Sequence, residues 1–240
     1  MIDALAPIFI GPLADFVDRL VLADDPRPGM PGSDLLDPAV LGPILERFAR
    51  RYDQPEPRAV ASQWAKWHFW MLLTPVVAAS LLLEHGLPTG LDEVEVIVAP
   101  DGQTTAFKLP HGGGRATPAD GFERFGPLVD GHIDPLIRAL AAQSGATVKV
   151  LWSNVGNLFE NLLRQIEASG MARGPGPAQA HALMASRDWP GRRANPLFEP
   201  VRYVERDGER KRLRRVCCIR YLIPSLDLCS TCPLEKPRPA

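Results

Sequence analysis

The residues best suited to chemistry are four cysteines near the C-terminus, Cys217, Cys218, Cys229 and Cys232, which are all the cysteines of the chain. They lie within sixteen residues, in the order Cys-Cys, ten residues, Cys, two residues, Cys. Four thiolates so close in the chain can enclose one metal centre without help from distant residues. Paired disulfides are the other use of such a set, but the sequence shows no sign of export, so they are disfavoured.

The spacing of the four cysteines helps to distinguish between the possible metal centres. Structural zinc sites usually combine two Cys-x-x-Cys units, and here only Cys229 and Cys232 form one. Cys217 and Cys218 are adjacent, so their side chains diverge by about 100° in a helix and point to opposite faces in a strand. Divergent sulfurs suit two metal ions better than one. This favours a [2Fe-2S] cluster, with a four-cysteine zinc site as the alternative.

The complete cysteine pattern resembles the C-terminal hallmark of the ferric-siderophore reductases of the FhuF type. Three short segments add to the resemblance: Asn195-Pro196-Leu197, Arg214-Arg215 and Cys232-Pro233. Further upstream the aromatic segment 63–83 and Trp152-Ser153-Asn154 are similar in a looser way. The resemblance implies that all four cysteines bind a [2Fe-2S] cluster. It also implies a ferric siderophore as substrate, of the hydroxamate kind, imported into the cytoplasm intact.

One-electron chemistry agrees with the residues that the chain contains. Oxygen ligands hold Fe(III) far more tightly than Fe(II), so a single added electron makes the chelate labile. The sequence has no convincing Ser-His-Asp, Cys-His or His-Glu-x-x-His arrangement, and this reaction needs none. We therefore expect a cytoplasmic oxidoreductase that takes electrons from a donor such as a ferredoxin or a flavoprotein. Two alternatives are a zinc-stabilised binding module without redox activity and a siderophore-binding accessory protein.

Charge is distributed unevenly. The whole chain has a formal net charge of −1, which argues against nucleic acid as a partner. Between residues 202 and 220, however, eight Lys or Arg accompany three acidic residues, a local net charge near +5. Such cations would stabilise a reduced, more negative cluster, attract an acidic donor or anionic chelate, or simply guard a strand edge. The candidates for cluster tuning or substrate contact are Arg214, Arg215, Arg220, Tyr221, Trp152 and Asn154, with Arg212 as a further cation.

Hydrophobic periodicity predicts an α+β fold, predominantly helical, with two β-hairpins and a C-terminal cluster-binding tail. The expected hairpins are 93–109 and 201–216, the second turning at Asp207-Gly208. A polar stripe on the helix after residue 148 faces either a cavity or water, and water is the simpler interpretation. The expected helices are 12–23, 38–52 with Asp37 as N-cap, 58–83 with a break or kink at Pro75, one or two within 118–142, 148–166 and 178–189.

Segment 58–83 also raises the question of a membrane. Its uncharged part is at the short limit for a bilayer and has no basic cluster at either end, so a buried core helix is preferred. The N-terminus lacks the pattern of a signal peptide, and the cytoplasm is expected; transient membrane association is left open. We expect a helical region, 1–194, and a cluster-binding segment, 195–240, within one compact unit. His68 is interpreted as a core or pocket histidine.

Overall fold

The computed structural model describes residues 2–191, 193–206 and 208–234 and shows an α+β fold. Helices take up 50% of the chain and strands 15%, which confirms the predicted fold class. The α-helices are α1 (Pro38–Ala49), α2 (Pro57–Leu83), α3 (Gly121–Leu128), α4 (Asp134–Ser144), α5 (Val148–Ser169) and α6 (Gly176–Ala185). A π-helix, Val129–Ile133, joins α3 to α4, and short 3-10 helices span Asp3–Ile8, Gly11–Phe16, Gly32–Leu36 and Arg220–Leu222.

The strands form small sheets around the helices. They are β1 (Leu20–Leu22), β2 (Met30–Pro31), β3 (His85–Gly86), β4 (Glu95–Val98), β5 (Thr104–Leu109), β6 (Gly114–Arg115), β7 (Asp188–Trp189), β8 (Arg193–Ala194), β9 (Val201–Arg206) and β10 (Glu209–Arg214). The largest sheet has the order β1-β5-β4-β2, and β3–β6, β7–β8 and β9–β10 form antiparallel pairs. Both predicted hairpins are present, as β4–β5 and β9–β10. Asp207, in the predicted turn of the second, lies outside the described residues.

Helix α2 is the centre of the fold and is apolar on nearly all sides. The Glu56 carboxylate caps its start by accepting a hydrogen bond from the Ala59 amide at 2.9 Å, and Glu84 ends it in the left-handed conformation. Length and composition would allow α2 to cross a membrane, but 72% of its most apolar window is buried inside the protein. In the structure α2 is therefore a buried core helix, the interpretation that the sequence favoured. Pro75 does not split α2, since packing on all sides outweighs one lost hydrogen bond.

The predicted helix 12–23 was wrong. Its first residues belong to the 3-10 helix Gly11–Phe16, and Leu20–Leu22 then form β1. Leu20 and Val21 of β1 pair in parallel with Phe107 and Lys108 of β5. The apolar spacing fitted a helix, but pairing with a strand some 85 residues away decides the conformation. Two other boundaries also differ. Within 118–142, where breaks near Gly126-Pro127 and Asp134-Pro135 would be expected, the chain stays helical from α3 through the π-helix into α4. Helix α6 ends before Trp189, which lies in β7.

One hydrophobic core joins the helical region to the C-terminal segment. Leu197 and Ile223, both almost fully buried, belong to the same cluster of core residues as Trp64 and Leu151. Helix α5 approaches this segment closely at Gly156, where a Cβ would lie 2.6 Å from the Pro200 side chain. A glycine is thus required for α5 to pack against the residue that precedes β9. This contact fixes where the β9–β10 hairpin begins. It thereby also fixes the start of the cysteine segment, residues 217–232, which follows the hairpin.

Candidate redox site

The cysteine segment folds back onto the hairpin that precedes it. The Arg214 amide donates to the Thr231 carbonyl at 2.9 Å, and the Arg215 amide donates to the Pro200 carbonyl at 3.1 Å. The Cys232 amide donates to the Cys229 carbonyl at 3.0 Å, which closes the tight turn expected of Cys-x-x-Cys. These bonds bring residues 229–232 beside the end of β10, where Cys217 and Cys218 follow.

The four thiols approach each other in two pairs. The sulfurs of Cys218 and Cys229 are 3.9 Å apart, with the Cys218 thiol donating. This hydrogen bond lowers the pKa of Cys229 to about 5, and together with burial it raises the pKa of Cys218. In the other pair, burial raises the pKa of Cys232 and the nearby Cys217 thiol raises it further. All four cysteines are free thiols, so the structure contains neither of the disulfides considered above.

Pairing two and two matters for the choice of metal. Among the described residues, no three His, Cys, Asp or Glu side chains converge as ligands for a single ion. A mononuclear zinc site needs four ligands around one point, whereas each iron of a [2Fe-2S] cluster takes two thiolates. The observed arrangement of thiols is closer to the second requirement.

Two helices hold the backbone of the cysteine segment. From α2, the Ser62 hydroxyl donates to the Cys218 carbonyl at 2.7 Å. From α5, the Ser153 hydroxyl donates to the Val216 carbonyl at 2.7 Å. The two helices are themselves joined, because the Asn154 amide donates to the Ser62 carbonyl at 2.9 Å and to its hydroxyl at 3.0 Å. No role for Ser62 was predicted from the sequence, and Ser153 was named only as part of the segment Trp152-Ser153-Asn154, since serines within helices carry no signal of their partners.

Arg214 is buried at the centre of this network, with 2% of its surface exposed. Its Nη1 donates to the Asn154 side-chain oxygen at 2.7 Å. The guanidinium lies close enough to Cys218 and Cys229 for its positive charge to lower the pKa of both thiols, against the larger effects already described. Of the predicted candidates, Arg214 and Asn154 are thus brought together beside the thiols.

Arg220 follows the Cys217-Cys218 pair in the chain. Its backbone amide donates to the Cys218 sulfur and helps to lower the pKa of that thiol. The Nε atoms of both Arg220 and Arg214 are buried and have no hydrogen-bond acceptor among the described residues. Buried donors without an acceptor are rare in folded proteins, so the Nε of Arg214, whose charge acts on Cys218 and Cys229, points to an anionic group beside the cysteines.

The other predicted candidates lie elsewhere. Arg215 is exposed and forms an ion pair with Glu199, and Arg212 is bound to α5, where its Nε donates to Glu160 at 2.5 Å. Tyr221 is 45% exposed, and Trp152 is buried in the core. Neither arginine directs its charge at the thiols, because each is paired with a carboxylate.

A cavity of about 530 Å³ adjoins the cysteine segment. Lys66 and Arg214 line it and also lie near enough to Cys218 and Cys229 to interact with their charge. Asn154, Asn157 and Asn161 line it too, so the polar stripe of α5 faces a cavity, and the preferred interpretation of a water-facing stripe was wrong. The remaining walls are Phe48, Arg51, Tyr52, Gln63, Trp67, Trp70, Gln103 and Leu158.

Comparison with known proteins agrees with this geometry. The sequence profile of the family described as "Ferric iron reductase FhuF-like transporter" matches residues 62–211, more than half of the chain. The chain belongs to the FhuF family. A second profile, "FhuF 2Fe-2S C-terminal domain", matches residues 214–234. A ferric siderophore reductase of Escherichia coli (strain K12) is 26% identical over 226 residues, which cover 90% of this chain and 84% of that protein.

Family membership makes the protein an oxidoreductase with a [2Fe-2S] cofactor, as the cysteine pattern predicted. The chain's own residues fit that cofactor. Four free thiols are available, and the guanidinium of Arg214, with its unpartnered Nε, lies close enough to Cys218 and Cys229 to act on them. The zinc-stabilised module is not supported. The assignment of Cys217, Cys218, Cys229 and Cys232 as the cluster ligands remains a prediction on which the experiments below depend.

Proposed function

We propose that this FhuF family member reduces Fe(III) to Fe(II) in an imported siderophore complex of the hydroxamate type and thereby releases iron in the cytoplasm. The observation that carries the proposal is the cavity beside the cysteines, because Lys66 and Arg214 border both. A chelate bound there would have its iron close to the source of the electron.

The cavity has the size and the chemistry to hold a ferric hydroxamate. Its volume, about 530 Å³, lies within the range typical of small-molecule sites. Three bidentate hydroxamates neutralise Fe(III), so the complex presents oxygen acceptors without net charge. The amide groups of Asn157, Asn161 and Gln103 offer donors to such oxygens, and the Gln63 Nε2 is buried without a hydrogen-bond partner among the described residues. The aromatic walls suit the aliphatic linkers of the chelate.

A bound [2Fe-2S] cluster supplies one electron at a time, which is the number that Fe(III) requires. The chain's residues position the two partners. Ser62 and Asn154 hold the Cys218 backbone and Arg214 in place, while Lys66 and Arg214 keep positive charge between the thiols and the cavity. Because Fe(II) binds oxygen ligands weakly, no proton transfer or covalent step is needed for its release.

The electron donor is proposed to be an acidic ferredoxin or flavoprotein that docks on the β9–β10 hairpin. Arg202 and Arg210 are exposed there, and Arg210 lies over the Tyr203 ring at 4.5 Å. Glu205 and Glu209 are exposed on the same hairpin, but residues 202–220 keep a local net charge near +5. A net basic surface attracts an acidic partner and raises the association rate, with a strong dependence on ionic strength. Reduction by such a donor should therefore slow as salt is increased, whereas reduction by dithionite should not share that dependence.

The function is tested by mixing the anaerobically reduced protein with a ferric trihydroxamate and following the cluster absorption by stopped flow. Cys229→Ser should lose iron and all reduction. Lys66→Gln should lower the second-order rate about 10-fold, since a positive group bordering the cavity is removed. Lys149→Gln, on the exposed start of α5, is the matched control and should react like the wild type. Continued reduction by Cys229→Ser would refute the cluster as electron donor.

The substrate class needs its own comparison. A ferric tricatecholate carries three negative charges, whereas a ferric trihydroxamate is neutral. We expect the trihydroxamate to react faster at equal concentration, because adding an electron to a complex with three negative charges is opposed more strongly than adding one to a neutral complex, even though Lys66 and Arg214 attract the anionic chelate. A preference for the tricatecholate would contradict the hydroxamate proposal while leaving ferric reduction intact.

A further inference from the structure

A second cavity, of about 290 Å³, lies next to the one beside the cysteines. The two share three wall residues, Trp70, Leu158 and Asn161. Trp70 is 39% exposed and is held edge-on between Phe16 and Trp67, with ring centroids 5.4 and 5.2 Å away. A molecule bound in the first cavity can therefore extend past Trp70 into the second.

The second cavity differs from the first in chemistry. Most of its walls are aliphatic or aromatic, including Ile10, Leu13, Leu82 and Leu162, and none of its lining residues is Asp, Glu, Lys or Arg. One polar group stands out. The Thr74 hydroxyl is buried and has no hydrogen-bond partner among the described residues. The cavity thus offers a mainly hydrocarbon surface, with uncharged polar side chains at Asn161, Gln165 and Ser169 and the unpartnered hydroxyl of Thr74.

We propose that this cavity is a subsite for a hydrocarbon arm on the chelate, which makes an acylated hydroxamate siderophore the preferred substrate. The inference rests on the proposed function and specifies its substrate. An amide-linked acyl chain matches both features, because its methylenes fill the apolar walls and its carbonyl can accept from Thr74. At roughly 30 Å³ per unit, close to the volume of a water molecule, the cavity holds a chain of about eight to ten carbons.

A membrane lipid is the competing occupant of an apolar surface. Surfaces that lie on anionic membranes combine exposed apolar groups with Lys or Arg at their rim. No basic residue lines this cavity within the described part of the chain, and it is a concave extension of the cavity beside the cysteines. Both observations favour an arm of the substrate over a bilayer.

Binding is measured first, with gallium(III) chelates, which are redox-inert and so report affinity independently of reduction. The probes are a linear trihydroxamate with a free terminal amine and the same compound carrying an eight-carbon acyl chain on that amine. Each fully buried methylene adds about a factor of four in affinity, so even partial burial should give the acylated chelate an advantage of about 10-fold or more. Quenching of tryptophan fluorescence provides the titration, since Trp70 lies at the junction.

The variant Ile10→Ser/Leu13→Ser removes apolar wall from an exposed and a half-buried position, where the fold tolerates polar groups. It should reduce the acyl advantage from about 10-fold to about 2-fold. Leu36→Ser is the matched control, since Leu36 is 41% exposed and lines neither cavity, and it should keep the full advantage. The ratio of the KM values for reduction of the two iron(III) chelates should equal the ratio of the affinities measured with their gallium(III) forms.

Three outcomes would overturn the inference: equal affinity of the wild type for the two chelates, an advantage that survives in Ile10→Ser/Leu13→Ser, or a loss in that variant of binding to phosphatidylglycerol vesicles with no change in the chelate ratio. The last would assign the cavity to a membrane. Failure of the proposed function looks different, since the gallium chelates would bind but neither iron chelate would be reduced.

Discussion

At the scale of single residues, Arg214 connects the thiols proposed to bind the cluster with the cavity proposed to bind the chelate. It is almost fully buried, contacts Asn154, acts on the thiols of Cys218 and Cys229 and forms part of the wall of the larger cavity. The adjacent Arg215 has the same charge but is exposed and paired with Glu199. The two arginines are therefore a natural matched pair, one directed at the thiols and one directed away.

This difference leads to a prediction for the reduction potential. Reduction adds negative charge to the cluster, so a nearby buried cation favours the reduced form. Arg214→Gln should make the potential more negative by on the order of 60 mV, equal to about 1.4 kcal/mol for one electron. Arg215→Gln should change it much less, because its charge is exposed and balanced by Glu199. Spectroelectrochemical titration gives both values, and equal shifts would refute the distinct role of Arg214.

At the scale of secondary-structure elements, α2 and α5 act as a clamp on the cysteine segment. Each contributes a serine that donates to a carbonyl of that segment, and Asn154 joins the helices at the same place. A hydrogen bond between buried groups contributes more to stability than an exposed one, because its loss leaves a buried polar group that water cannot reach. The clamp explains how a short, loop-like segment attains a defined position.

Removing one serine should loosen this clamp. Ser62→Ala leaves the Cys218 carbonyl without its donor and should lower the free energy of unfolding by about 1–3 kcal/mol. It should also speed the loss of iron to a strong chelator, because the Cys218 backbone is held less firmly. Ser186→Ala is the control, since that hydroxyl bonds to the Asp188 carbonyl at the surface. Equal rates of iron loss in the two variants would argue against the clamp.

At the scale of the whole molecule, a buried chain of hydrogen bonds joins α2, β5, the π-helix and the loop before β4. The His132 Nδ1 lies 2.7 Å from the Thr89 carbonyl, so it must donate, and the His132 Nε2 then accepts from the His68 Nε2 at 3.0 Å. The His68 Nδ1 accepts in turn from the Thr104 hydroxyl at 2.8 Å. With both rings neutral, every ring nitrogen of the two histidines has a hydrogen-bond partner, which agrees with His68 as a core histidine.

This chain makes stability depend on pH. Burial lowers the pKa of His132 from 6.5 to about 4, and burial and the neighbouring ring lower the pKa of His68 well below its ordinary value. Between pH 6.5 and 4 the unfolded chain thus binds more protons than the folded one, so the free energy of unfolding falls as the pH falls. His132 alone should account for about 2 kcal/mol at pH 5. Urea unfolding at pH 7.5 and pH 5 measures the difference.

The variant His68→Gln tests the source of this dependence. Glutamine keeps an amide donor that can face His132 but cannot titrate, so the loss of stability between the two pH values should be smaller than in the wild type. His181→Gln, which removes a surface histidine, is the control. If His68→Gln lost as much stability on acidification as the wild type, His68 would not contribute to the pH dependence.

The sequence by itself determined the cofactor, the class of fold and most of the elements. The four cysteines could be proposed as cluster ligands because they lie within sixteen residues. Asp37 was correctly predicted as an N-cap because its partner, the Ala39 amide, is two residues away. Such signals are local in the chain, and local geometry follows from residue type. The helix expected at 12–23 failed for the opposite reason, since its partner strand is distant.

Only the tertiary structure decided which residues surround the thiols. Ser62, Lys66, Asn154 and Arg214 come from three separate parts of the chain and meet because α2 and α5 pack together against the C-terminal segment. Residue types alone did not distinguish Arg214 from Arg215, because the side chains of adjacent residues diverge and one of them meets the core while the other meets water. The cavities and the charges that border them arise from that packing.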